Sequence, residues 1–205
     1  MTKNRELIAI LRGLTTDRCI RVSEILIAAG FNKLEVPLNS PQPLDTILAM
    51  QEKFGSSVII GAGTVTKVSE VNNLSGLGCQ MIVSPNTDKD VIKATKDKGM
   101  LSFPGVLTPS ECFSAINSGA DALKIFPAFK LGIDGFKAMK AVLPSDVKTY
   151  GVGGINDNHF HEWLLAGLTG FGIGSNLFHP SMNDDDIKTT AKKIVIEYDS
   201  WFAQR

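Results

Sequence analysis

The chain has little of what several specialised folds and functions require. Its three cysteines, Cys19, Cys79 and Cys112, lie far apart with no CxxC pair. That spacing excludes a disulfide-built scaffold and predicts a reduced, cytoplasmic protein. Histidine occurs three times, at His159, His161 and His179, with no HxxxH or HExxH spacing and no carboxylate-rich run beside it, so no metal is expected. Neither sign of charge is in excess: 21 Lys and Arg balance 21 Asp and Glu. Without a basic cluster the electrostatic footprint of a nucleic-acid binder is missing. Apolar runs are strand-sized, so no membrane span is expected. The first of them, Leu7–Leu11, is cut by Arg12 too soon for a signal peptide.

Glycine is what the chain has in excess, 19 of 205 residues, against about 7% in an average protein. Gly30, Gly55, Gly78, Gly99, Gly119 and Gly167 each follow a helix-like segment, and Pro144 ends another. The gaps between successive stops are 25, 23, 21, 20, 25 and 23 residues. Such a period holds one strand, one helix and two short loops. Glycine just past a helix supplies the left-handed residue that ends it at low cost.

Eight short apolar runs fall between these stops: Leu7–Leu11, Lys33–Val36, Val58–Ile60, Gln80–Val83, Met100–Phe103, Ala122–Phe126, Val147–Tyr150 and Phe171–Ile173. The intervening segments are amphipathic. Thr108-Pro109-Ser110-Glu111 carries a capping threonine, proline in the first turn and a reciprocal glutamate. Phe136, Met139, Val142 and Leu143 form a helical stripe, and 184–201 reads as a terminal helix. Strict alternation argues for α/β with a parallel sheet. Eight units predict closure into a (β/α)₈ TIM barrel of near-minimal size, one domain over residues 1–205. An open doubly wound sheet is the structural rival. Gly61-Ala62-Gly63-Thr64-Val65-Thr66 starts like a dinucleotide fingerprint, but its sixth position is Thr and it lies in the third unit rather than the first.

Three strands end in residues that a packed apolar barrel would not choose. Period-two alternation turns Leu34 and Val36 toward the helices and Glu35 toward the axis; it does the same for Leu123 and Ile125 against Lys124. Arg12 closes the first strand. A buried structural Lys–Glu pair would explain two of these residues. At the C-terminal mouth of a barrel they also suit catalysis, because desolvation lowers a lysine pKa and a neutral amine can attack a ketone to give an iminium electron sink. A carboxylate beside it can shuttle protons. Arg12 can fork onto a carboxylate or phosphate. Gly151-Val152-Gly153-Gly154 and Gly172-Ile173-Gly174-Ser175 follow or end the last two strands, where such barrels commonly bind phosphate on backbone N–H groups.

These segments, together with Leu34–Pro41, Ile60–Val65 and Ala122–Pro127, resemble the family of 2-keto-3-deoxy-6-phosphogluconate and 4-hydroxy-2-oxoglutarate aldolases, in order over about residues 5–178. Within it they look most like the branch acting on 2-dehydro-3-deoxy-6-phosphogalactonate. The resemblance implies a metal-independent class I aldolase that yields pyruvate and D-glyceraldehyde 3-phosphate. No cofactor is implied beyond a covalent imine on Lys124. Glu35 would be the proton donor and acceptor, with Arg12, Thr64, Pro85, Val152, Gly153, Gly154, Gly174 and Ser175 binding substrate. A homotrimer is implied as well. Asn39 stands where the phosphogluconate branch usually has Arg, and Val152 where it tends to have Thr; both favour the galactonate branch. Phosphogluconate or hydroxyoxoglutarate specificity is the alternative within the family. A sugar-phosphate isomerase or epimerase and a non-catalytic sugar-phosphate binder are the rivals outside it.

Overall fold

The computed structural model describes residues 5–203. Nine strand segments alternate with helices along the chain: β1 Leu7–Ile10, α1 Thr16–Ala29, β2 Lys33–Pro37, α2 Pro43–Phe54, β3 Ile59–Gly63, α3 Val68–Gly76, β4 Met81–Val83, α4 Lys89–Asp97, β5 Leu101–Phe103, β6 Gly105–Val106, α5 Pro109–Asn117, β7 Leu123–Ile125, α6 Ala128–Lys140, β8 Thr149–Val152, α7 Phe160–Leu165, β9 Gly170–Ile173 and α8 Asp184–Ala203. Every paired strand is parallel, in the order β5-β4-β3-β2-β1-β9-β8-β7-β6. β5 and β6 are one strand interrupted at Pro104, which has no N–H to give to a ladder. Its carbonyl still accepts from Lys124 N at 2.9 Å, flanked by Asp121 N to Ser102 O at 3.0 Å and Phe126 N to Val106 O at 3.1 Å. The sheet therefore closes on itself as an eight-fold TIM barrel, and the open-sheet alternative is excluded.

Alternation along the strands sorts side chains into two cores. Ile8, Ile10, Met81, Val83, Phe103, Ala122, Tyr150 and Val152 pack inside the barrel. Leu34, Val36, Leu123 and Ile125 join the larger layer between strands and helices. The barrel's N-terminal end is closed by charge rather than by apolar bulk. Glu6 Oε2 accepts from Lys33 Nζ at 2.8 Å and from the Tyr150 hydroxyl, and Oε1 accepts from Lys148 Nζ at 3.3 Å. Burial pushes the Glu6 carboxyl up, but the hydrogen bonds from Lys33 and Tyr150 and the two lysine charges outweigh it and hold the group at about 2.

Local signals account for most element ends. Thr108 Oγ1 accepts from Glu111 N at 3.3 Å while Glu111 Oε2 accepts from Thr108 N at 2.8 Å, the reciprocal cap expected of that tetrapeptide. Gly30, Gly78, Gly99, Gly119 and Gly167 have positive φ, as helix stops should. Gly55 does not: at φ −60° it continues the right-handed turn, and a Cβ there would meet the Gln51 side chain at 2.2 Å. Its absent side chain makes space for Gln51 rather than a left-handed bend. Val142 departs from the expected stripe and is exposed, because the helix ends at Lys140, before it.

Strand boundaries differ from expectation where glycine carries the strand. β3 runs through Gly61 and Gly63, and β8 through Gly151 and Val152. Glycine has no apolar signature, yet neighbours fill the space it leaves. A Cβ on Gly61 would lie 2.7 Å from Met81 Cε, and one on Gly172 would lie 2.7 Å from Val152 Cγ2.

Candidate active site

β2 and β7 stand opposite each other across the barrel, with three strand positions between them on either side. Glu35 and Lys124 project from them into the interior, 2% and 7% exposed. They form no direct ion pair among the described residues. Burial is the main influence on each: it pushes the Glu35 carboxyl up and the Lys124 ammonium down. Their mutual attraction opposes both effects. Arg12 lowers both groups, which favours a carboxylate and a neutral amine at once. Lys124 Nζ also lies 4.7 Å from the Phe126 ring centroid, so one wall of its surroundings is aromatic.

Arg12 sits at the mouth, just beyond β1, and its Nη1 donates to Asn39 Oδ1 at 2.5 Å. It lines a cavity of about 470 Å³ together with Val152, Gly153, Gly154, Gly174 and Ser175. Gly153 and Gly154 have φ of +91° and +74°, a succession that side-chain-bearing residues adopt only under strain. Among the described residues the N–H groups of Gly153, Gly154, Ser175 and Asn176 donate to no protein acceptor, so they are available to an anion. Asn176 Nδ2 donates to Ile155 O at 3.0 Å and ties the two glycine loops together.

Thr64 and Pro85 follow β3 and β4 and do not line that cavity. Thr64 is strained: a β-branched residue at φ +60°, a conformation that costs on the order of 1–3 kcal/mol. It immediately follows Gly63, against which the Glu35 carboxyl packs.

Residues 1–193 match the family described as KDPG and KHG aldolase. The chain belongs to that family. It is 42% identical over 192 residues to the 2-dehydro-3-deoxy-6-phosphogalactonate aldolase of Escherichia coli K12, covering 94% of each chain. A solved structure described as native KDPGal superposes with a TM-score of 0.96 at 40% identity, covering 99% of this chain and 98% of that one. A KDPG aldolase of Legionella pneumophila, captured with pyruvate as a covalent carbinolamine, is 26% identical with a TM-score of 0.81 over 96% of this chain and 93% of its own. The barrel of this KDPG and KHG family aldolase brings Arg12 near enough to Glu35 and Lys124 to act electrostatically on both, while of these three residues Arg12 alone lines the cavity.

Some of this aldolase's cavity residues carry no signal in the sequence. Ile10 reads as an ordinary strand residue and His179 as a surface or helix-packing histidine, yet both line the cavity, as does Phe126, which alternation turns toward the axis. The Nδ1 atom of His179 accepts from Ser181 N at 3.3 Å. His161 lies elsewhere, 2.9 Å from Ser200 Oγ and edge-on to Trp201. Among the described residues no group of three His, Cys, Asp or Glu is placed to hold a metal ion, and no helix is long and apolar enough to cross a membrane.

Proposed function

We propose that this chain cleaves 2-dehydro-3-deoxy-6-phospho-D-galactonate to pyruvate and D-glyceraldehyde 3-phosphate through an imine on Lys124. The observation that carries the reading is Lys124 itself: a buried lysine without an ion-pair partner among the described residues, opposite a buried glutamate, in a chain of this aldolase family. A neutral Lys124 amine attacks the C2 ketone to give a carbinolamine, which takes up a proton and loses water to leave the protonated imine. Glu35 accepts the proton of the C4 hydroxyl as the C3–C4 bond breaks and its electron pair moves into the iminium. The aldehyde leaves, and the enamine takes the same proton back from Glu35 at C3. Water then hydrolyses the protonated imine, releasing pyruvate, the free Lys124 amine and the proton taken up when the imine formed. No cofactor takes part in this scheme.

Arg12 is read as the partner of the substrate carboxylate, in keeping with Asn39 at the position where another branch has Arg. The N–H groups of Gly153, Gly154 and Ser175, which meet no protein acceptor among the described residues, suit the 6-phosphate with Gly174 beside them. Anchoring this remote group would orient the chain for bond cleavage. Thr64 and Pro85 would contact the pyruvate half near Glu35. A homotrimer is the assembly we infer from the family resemblance, and the reduced cysteines, all three buried and free, agree with a cytoplasmic setting.

Borohydride reduction in the presence of pyruvate tests the chemistry. The expected result is a pyruvate-derived mass increment on the Lys124 peptide, absent in Lys124→Met. An increment on another lysine, or none, rules the mechanism out.

A further inference from the structure

The tract Gly61-Ala62-Gly63 resembles a nucleotide loop in sequence, but it is the third barrel strand. Both glycines face inward. Gly61 leaves room for Met81, an ordinary packing neighbour. Gly63 is different. A Cβ built there would lie 1.5 Å from Glu35 Oε1, 2.4 Å from its Cδ and 3.0 Å from its Cγ. The three nearest atoms all belong to the Glu35 side chain and none to backbone. Gly63 is not among the glycines of positive φ, and it pairs in register with Pro37 and Val83. Its backbone would accept alanine, so glycine is required here by the space alone.

Glu35 has little else to aim it. Its Oε2 is buried with no hydrogen-bond partner among the described residues. Glu6, at the other end of the barrel, is instead held by Lys33, Lys148 and Tyr150. Shape has to place Glu35 where donors do not. We infer that Gly63 is the positioning residue for Glu35: the volume left by its missing side chain seats the carboxyl group, and proton transfer to and from the substrate depends on that seat. The inference rests on the reading of Glu35 as proton shuttle given above.

Gly63→Ala is the test. The clashing atoms are the free end of a flexible side chain, so the carboxyl group gives way and the fold does not. The variant is expected to keep the wild-type circular dichroism and melting temperature and to be trapped on Lys124 by borohydride and pyruvate. Its cleavage kcat, and the exchange of pyruvate methyl protons with solvent, should fall by about 10²-fold or more, the usual scale of lost general acid–base catalysis. In a Glu35→Ala background the same substitution should cost no more than about 2-fold, because the two changes act through one carboxyl. Wild-type exchange in Gly63→Ala overturns the inference, and so does a loss that persists undiminished without Glu35. If Gly63→Ala does not fold, Glu35→Ala must rescue it; a double variant that is equally unfolded also overturns the inference. Wild-type turnover by Glu35→Ala alone would instead remove the proton-shuttle reading, whatever Gly63→Ala does.

Discussion

Removing the charge of Glu6 should change stability in a way that depends on pH. In the folded chain this carboxyl falls from 4.5 to about 2. At about 1.4 kcal/mol per pKa unit, the network with Lys33, Lys148 and Tyr150 contributes about 3 kcal/mol. The folded pKa is depressed, so this stability is fully present above 4.5 and is lost as pH falls toward about 2. Glu6→Gln should therefore unfold about 3 kcal/mol more easily than wild type near neutral pH, because a buried Lys33 ammonium is left without its counter-charge. The gap should narrow steadily as the wild-type carboxyl is protonated. Urea titrations of both proteins across this range measure the difference directly. Taking the difference between the proteins cancels other carboxyls that also sit low, such as Glu111, held down by the N–H of Leu107. A gap that stays constant from neutral pH down to about 2 would refute the account.

Val152→Thr keeps the volume of a cavity-lining side chain and adds one hydroxyl; kcat/KM for the gluconate epimer should rise by about 10-fold relative to the galactonate epimer, and an unchanged ratio removes Val152 from the discrimination. Arg12→Gln should raise KM and also move borohydride trapping on Lys124 to higher pH, because a charge that lowers the lysine is gone. Trapping with wild-type pH dependence would limit Arg12 to binding.

Alternation and helix stops were enough to read the barrel, since burial on two faces forces a two-residue period on each strand. Glu35 and Lys124 were legible for the same reason: alternation turns both inward at the mouth of a barrel, where a buried structural Lys–Glu pair was the competing explanation. Pro104 splits a strand that reads as continuous up to Phe103, so Gly105–Val106 went unseen. The strand assignments of Gly61, Gly63 and Gly151 were hidden because glycine has no hydrophobic signal. The role of Gly61 and Gly63 is set by side chains from other strands, and local sequence does not contain that information. His179 was hidden for a related reason. Whether a residue after a strand turns toward the cavity depends on loop geometry, such as the Ser181 contact that fixes the His179 ring.

The site's charges present a conflict that two residues alone could not resolve. The proposed chemistry needs an uncharged amine and a charged carboxyl in one low-dielectric space. Burial of Lys124 and Glu35 discourages both charges, and their mutual attraction encourages both. An isolated pair would settle either as ammonium and carboxylate, with no nucleophile, or as amine and carboxylic acid, with no base. A third, permanently positive group breaks that symmetry, because it destabilises the ammonium and stabilises the carboxylate. Arg12 is such a group, and its hydrogen-bond partner Asn39 is neutral. An acidic residue at that position would cancel the guanidinium charge and restore the stalemate. The amide orients Arg12 without neutralising it, and leaves the charge free both to bias Lys124 and Glu35 and to meet an anionic substrate.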